Sequence, residues 1–162
     1  MLEDVYPLSP LQQGLYFQWL KDPKSLDHFV QFKISISGRL DPEILEESYR
    51  LLVDRYGILR TYFTQNYGDR ILQVVRKDIV SPFKYHVLGK NESLADMVER
   101  DRIQGFDLNV GSQMRLTIVK AKDDNHHFIW SHHHILMDGW CISILMHDFF
   151  EIYIELANGR IP

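Results

Sequence analysis

Between His28 and Gly38 the stretch HFVQFKISISG alternates with a period of two. Phe29, Gln31, Lys33 and Ser35 fall on one face, and Val30, Phe32, Ile34 and Ile36 on the other. That alternation predicts a strand with one apolar face, stopped at Gly38. The period then changes. In DPEILEESYRLLVDRYG, Asp41 stands as an N-cap, Pro42 takes the first helical position, glutamates follow, and Gly57 lies beyond the end, so the segment predicts a helix. Upstream, SPLQQGLYFQWLK opens with Ser9 as N-cap and Pro10 at the first helical position. Leu11, Leu15 and Trp19 recur there every four residues, which predicts a short amphipathic helix with that stripe turned inward.

Further along, LRTYFTQ and RILQVVR flank Asn66–Asp69 as a predicted hairpin, FKYHV is a short strand, and NESLADMVERDRI is a helix capped by Asn91 or Ser93. SQMRLTIVKAKDDNHHFIWSHHH predicts two strands joined at Asp123-Asp124-Asn125. From Gly139 to about Leu156, GWCISILMHDFFEIYIEL carries apolar residues on nearly all faces and predicts a largely buried helix, stopped by ANGRIP. Strands with helices interspersed imply an α/β fold built as a layered sheet. No repeat or linker divides the chain, so residues 1–162 form one unit, long enough to bury roughly 70% of its unfolded surface.

Composition narrows the class. Apolar residues make up 45% and charged residues 25%, ordinary globular values. The net charge of -4 and an isoelectric point near 6.0 argue against nucleic acid as a partner, and the longest basic cluster is only VVRK, Val74–Lys77. A single cysteine, Cys141, rules out an internal disulfide and fits a reducing cytoplasm. No apolar run approaches the roughly 20 residues of a membrane span, and MLEDVYPLSP lacks a signal-peptide pattern.

The chemistry concentrates in WSHHHILMDGWC, Trp130–Cys141. At the end of a strand, alternation puts His132 and His134 on one face and His133 on the other. Asp138 sits where a carboxylate caps a helix, and the N–H of Gly139 or Trp140 is then available to hold developing negative charge. An imidazole beside such a helix start is the arrangement acyl transfer requires. A metal site is the rival, with His126, His127 or His147 completing a ligand set. Against it, the H-E-x-x-H spacing is absent and the one cysteine lies on the helix.

His133-His134-Ile135-Leu136-Met137-Asp138-Gly139 resembles the HHxxxDG motif of nonribosomal peptide synthetase condensation domains, within the chloramphenicol-acetyltransferase-like superfamily. YPLSPLQQGLYF, Tyr6–Phe17, looks like the first core motif of that family, and DRYGILRTYF, Asp54–Phe63, like the second. Tyr56 stands where histidine is common in it. GFDLNVGSQMRLTIV, Gly105–Val119, resembles the segment that precedes the histidine motif. Gly139-Trp140 directly after Asp138 disfavours an epimerization domain, and His133 disfavours a heterocyclization domain, where aspartate is usual.

The resemblance implies the N-terminal lobe of a condensation domain over 1–162, with a mixed, largely antiparallel sheet flanked by helices and the C-terminal lobe absent. It implies amide formation between a donor acyl or peptidyl thioester and the amine of an acceptor aminoacyl thioester. Both would arrive on phosphopantetheine arms of upstream and downstream carrier domains, with an adenylation domain in the parent chain and no cofactor or metal bound directly. His134 is expected to face the amine, as general base or as a positioning group. His133 is expected to support the loop, Gly139 to offer its N–H, and Asp138 to orient the loop through an ion pair with Arg60. His132 and Trp140 are candidates for the tunnel wall, though each also reads as core, as do Tyr16, Phe17 and Trp19. Cys141 reads as buried on the helix, with no base placed to activate it. The competing functions are a standalone CoA-dependent acyltransferase and a non-catalytic lobe that docks carriers. An isolated lobe is expected to have little activity.

Overall fold

The computed structural model describes residues 1–65, 68 and 70–162. In chain order the elements are β1 (Leu2–Pro7), α1 (Pro10–Lys21), β2 (Phe29–Ser37), α2 (Pro42–Arg55), a 3-10 helix (Gly57–Arg60), β3 (Thr61–Thr64), β4 (Leu72–Arg76), β5 (Phe83–Val87), α3 (Leu94–Gln104), β6 (Met114–Lys120), β7 (Asn125–His133) and α4 (Gly139–Ala157). They build two sheets, of order β1-β4-β3 and β2-β7-β6-β5. Every pairing is antiparallel except β5 with β6, which run parallel on either side of α3. The layered α+β sandwich is therefore as expected, with a mixed and largely antiparallel main sheet.

Local signals placed the helix starts. Ser9, Asp41, Ser93 and Asp138 each accept backbone N–H groups of the following turn, so four sequence-legible caps are made, and Ser93 rather than Asn91 starts α3. Asp123 and Asp124 take positive φ (58° and 53°) in the β6–β7 turn, the left-handed conformation that Asp tolerates better than most residues. β3 and β4 pair as the expected hairpin, Thr61 opposite Val75 through Thr64 opposite Leu72. Asn66, Tyr67 and Asp69 of its connection lie outside the described residues.

The core forms between β2-β7-β6 and the helix pair α2–α4. Trp130 and Phe128 of β7 meet Phe149 of α4 edge-on, with ring centroids 5.5 and 6.2 Å apart. Each such fully buried aromatic contributes about 2–3 kcal/mol through apolar burial alone. α3 covers the opposite face, where Arg115 of β6 and Asp101 of α3 form a buried ion pair. Asp101 also accepts Gln31 and Ser131, and the Arg115 guanidinium lies 4.2 Å from the Phe106 ring centroid. With both faces covered, β7 is buried almost without alternation, which is why its sequence reads as continuously apolar with histidines.

Three expectations change. β1 carried no signal, because all six of its residues are exposed and only the pairing to β4 makes it a strand. On α1 the buried residues are Tyr16 and Trp19, while Leu11 is 74% exposed. α4 buries one face through Ile142, Leu145, Phe149 and Ile152, and leaves Trp140, Ile144 and Ile154 in the open.

Candidate active site

β7 ends at His133, whose N–H closes the last rung onto the Gln113 carbonyl at 3.0 Å. The chain then turns through residues 134–137 and enters α4 at Asp138. His134 has left the strand. Its N–H donates to the His28 carbonyl at 2.8 Å, one step beyond the last β2–β7 pair of Phe29 with His133, while its own backbone already turns. The three histidines therefore occupy three environments.

His132 is 1% exposed, stacked on Phe32 at 6.1 Å with the rings 10° apart, and its Nδ1 has no partner among the described residues. Burial, and then repulsion from the neighbouring His134 ring, lower its pKa to about 4. It lies in the core, one of the two placements the sequence left open for it. His133, 7% exposed, accepts the Ile135 N–H on Nδ1 at 3.0 Å, so its proton resides on Nε2. Burial, then the neighbouring His28, His132 and His134, lower its pKa to about 3. Its Nδ1 lone pair is spent inside the turn.

His134 is exposed, and its Nδ1 lies 2.9 Å from the Met137 carbonyl. A carbonyl can only accept, so Nδ1 carries the proton, and in the neutral ring Nε2 keeps a lone pair with no partner among the described residues. Four residues on, Asp138 Oδ1 accepts the N–H groups of Trp140 (3.0 Å) and Cys141 (3.2 Å). The Cys141 thiol and these amides hold the carboxyl below its usual range. The cap takes the Trp140 and Cys141 N–H groups, which leaves the Gly139 N–H without a side-chain acceptor among the described residues and available to an incoming oxygen. A Cβ built on Gly139 meets nothing within 4 Å, so the fold itself does not require glycine there. Burial and the Asp138 carboxylate raise the Cys141 thiol pKa, which keeps it protonated.

Arg60 and Asp138 are not partners. The buried Arg60 guanidinium gives Nε to the Val53 carbonyl, Nη1 to Glu3 and the Arg76 carbonyl, and Nη2 to Glu3 and the Asp54 carbonyl. Its donors are thus taken by the C-terminal end of α2, by β1 and by β4, and the carboxylate that pairs with it is Glu3. Tyr56 donates its hydroxyl to Asp148 of α4 at 2.7 Å, where Arg55 joins it, and so clamps α2 to α4. Trp140 is 85% exposed and Phe17 is also exposed, whereas Tyr16 and Trp19 are core.

Two residues that sequence reasoning passed over touch the turn. His28 supplies the carbonyl under His134, and its ring lies 5.9 Å from that of His133. Gln12 donates Nε2 to the Ile135 carbonyl at 3.2 Å. The only sequence signal for Gln12 was its place three residues after the Ser9 cap. Five clefts among the described residues are walled without His134. No group of three His, Cys, Asp or Glu among the described residues stands close enough to hold a metal ion. No helix among the described residues is long and apolar enough to cross a membrane.

The family profile of the condensation domain matches residues 2–162. This chain belongs to the condensation domain family. Among similar proteins, a linear gramicidin synthase of Brevibacillus parabrevis is 40% identical over 164 residues, covering 98% of this condensation-domain chain and 3% of the synthase. Gramicidin S synthase 2 of Brevibacillus brevis is 38% identical over 98% of the chain and 4% of its own length. The chain thus spans only a few hundredths of these relatives. In shape, the starter condensation domain of rhizomide synthetase superposes with a TM-score of 0.90 at 20% identity, covering 99% of this chain and 41% of that one. The first condensation domain of the CDA synthetase gives 0.86 at 19% identity, covering 99% of this chain and 42% of that one. At these identities the superpositions establish the condensation-domain fold.

Proposed function

We propose that this chain is the N-terminal lobe of a condensation domain and carries the reacting base of amide formation in nonribosomal peptide synthesis. The observation that carries the reading is the His134 ring: Nδ1–H tied to the Met137 carbonyl, Nε2 unencumbered, at an exposed strand end beside the start of α4. The acceptor amine attacks the carbonyl carbon of the donor thioester, forming C–N and then breaking C–S. The amine proton passes to Nε2, or is held there by a hydrogen bond, and is delivered to the departing thiolate. The Gly139 N–H faces the developing oxyanion. Most of the acceleration comes from alignment of two tethered substrates, where effective molarities of about 10⁵ M or more are attainable.

The substrates are thioesters on phosphopantetheine arms of carrier domains, within a longer cytoplasmic synthetase that also holds an adenylation domain. Membership of the family supports this, as do its long synthetase relatives. His134 stands on open surface, so the lobe alone lacks the walls that would align two thioesters, and the 162-residue chain by itself forms little or no amide. The test is His134→Ala in the full-length synthetase, with donor and acceptor carriers loaded. Loading stays intact and peptide formation falls by about 10²–10⁴-fold. Near-normal peptide yield from that variant overturns the assignment.

A further inference from the structure

Three amides of the turn that carries His134 are already bonded. The His134 N–H goes to the His28 carbonyl, the Ile135 N–H to His133 Nδ1, and the Leu136 N–H to the His133 carbonyl. Of its carbonyls, that of Met137 accepts His134 Nδ1–H, and that of Ile135 accepts Gln12 Nε2 at 3.2 Å. Gln12 lies 123 residues away in sequence, half-buried on the first turn of α1. Its amide is held at both ends. Oε1 accepts the Ser9 N–H at 3.0 Å, the bond that completes the α1 capping box, and Nε2 reaches Ile135 and, at 3.4 Å, Gln73 Oε1 on β4. An N–H on one side and carbonyl oxygens on the other fix which end of the amide is which. For the cap alone, Glu and Gln are equivalent. For the bond to Ile135 they are not, because a carboxylate has no N–H to give.

Resting on the reading of His134 above, we infer that Gln12 is a positioning residue for it, a strut that sets the turn against α1 and β4. The bonded carbonyl belongs to the residue directly after His134, so releasing it frees the segment that also carries the Met137 acceptor. A base must sit within hydrogen-bond reach of its proton, and a misplacement of about 1 Å costs on the order of 100-fold.

Gln12→Glu keeps the capping oxygen and removes the donor, while Ser9→Ala removes the cap and keeps the donor. In the ¹⁵N-histidine-labelled chain, wild type shows His134 as the Nδ1–H tautomer. Gln12→Glu keeps α1 by circular dichroism but brings the two His134 ring nitrogen shifts toward their tautomer average. Ser9→Ala lowers the melting temperature and leaves those shifts in place. In the full-length synthetase, Gln12→Glu lowers kcat for amide formation about tenfold or more, with KM for the loaded carriers little changed. Unchanged His134 shifts in Gln12→Glu, or equal loss of them in Ser9→Ala, overturn the assignment. The shifts are read without turnover, so full activity of His134→Ala would sink the base reading separately.

Discussion

Lowering the pH from 7.5 to 5 destabilises this fold through two buried imidazoles. His132 and His133 titrate at about 4 and about 3 when folded, against an ordinary value of 6.5. Burial is the main cause for both. Repulsion from the His134 ring acts in the same direction on His132, and repulsion from the His28, His132 and His134 rings does so on His133. Below pH 6.5 the unfolded chain therefore binds protons that the folded chain refuses. Stability is complete above that value and falls as the pH drops toward the folded pKa values. At about 1.4 kcal/mol per pKa unit, each ring loses about 2 kcal/mol by pH 5, or about 4 kcal/mol for the pair. That is a large part of the roughly 5–15 kcal/mol by which domains are stable. The assay is urea unfolding at both pH values for wild type and His132→Phe. Phenylalanine suits the position, because His132 already stacks on Phe32 and its Nδ1 makes no hydrogen bond among the described residues. The variant should match or exceed wild type at pH 7.5 and should lose about 2 kcal/mol less on going to pH 5. Carboxylates titrate alike in both proteins and cancel. Equal losses in the two proteins would refute the reasoning.

Phe149→Ala empties the position where α4 meets Trp130 and Phe128, and should cost about 3–5 kcal/mol in a urea titration; a loss under about 1 kcal/mol would mean α4 is not anchored there. Gly139→Ala should leave the melting temperature unchanged or slightly raised, because a Cβ there meets only open space, while amide formation by the full-length synthetase falls; full activity would remove the close approach proposed at this N–H. In double-mutant cycles read by thermal melting, Arg60→Ala and Asp138→Ala should add without coupling, whereas Arg60→Ala and Glu3→Ala should couple, since only the second pair is in contact.

What could be read from the sequence is what the chain settles within about four residues. Ser9, Asp41, Ser93 and Asp138 cap helices because the side-chain oxygen and the N–H it accepts are held together by the covalent chain, whatever lies outside. The alternation in β2 and the Asp123-Asp124 turn are local for the same reason. The histidine motif marked the site through residue identity and spacing, which again are properties of a short segment.

Partners were different. Arg60 takes Glu3 from 57 residues away, and Gln12 takes Ile135 from 123 away. Six exposed residues become β1 only because β4 offers them an edge. The three consecutive histidines became a core ring, a turn acceptor and an open base through the partners and burial each one met. Strand periodicity assigns faces only while the strand lasts, and this strand ends one residue before the side chain that matters most. Which hydrogen bonds and which burial each ring receives depends on elements brought together by packing, and that is decided only when the whole chain folds.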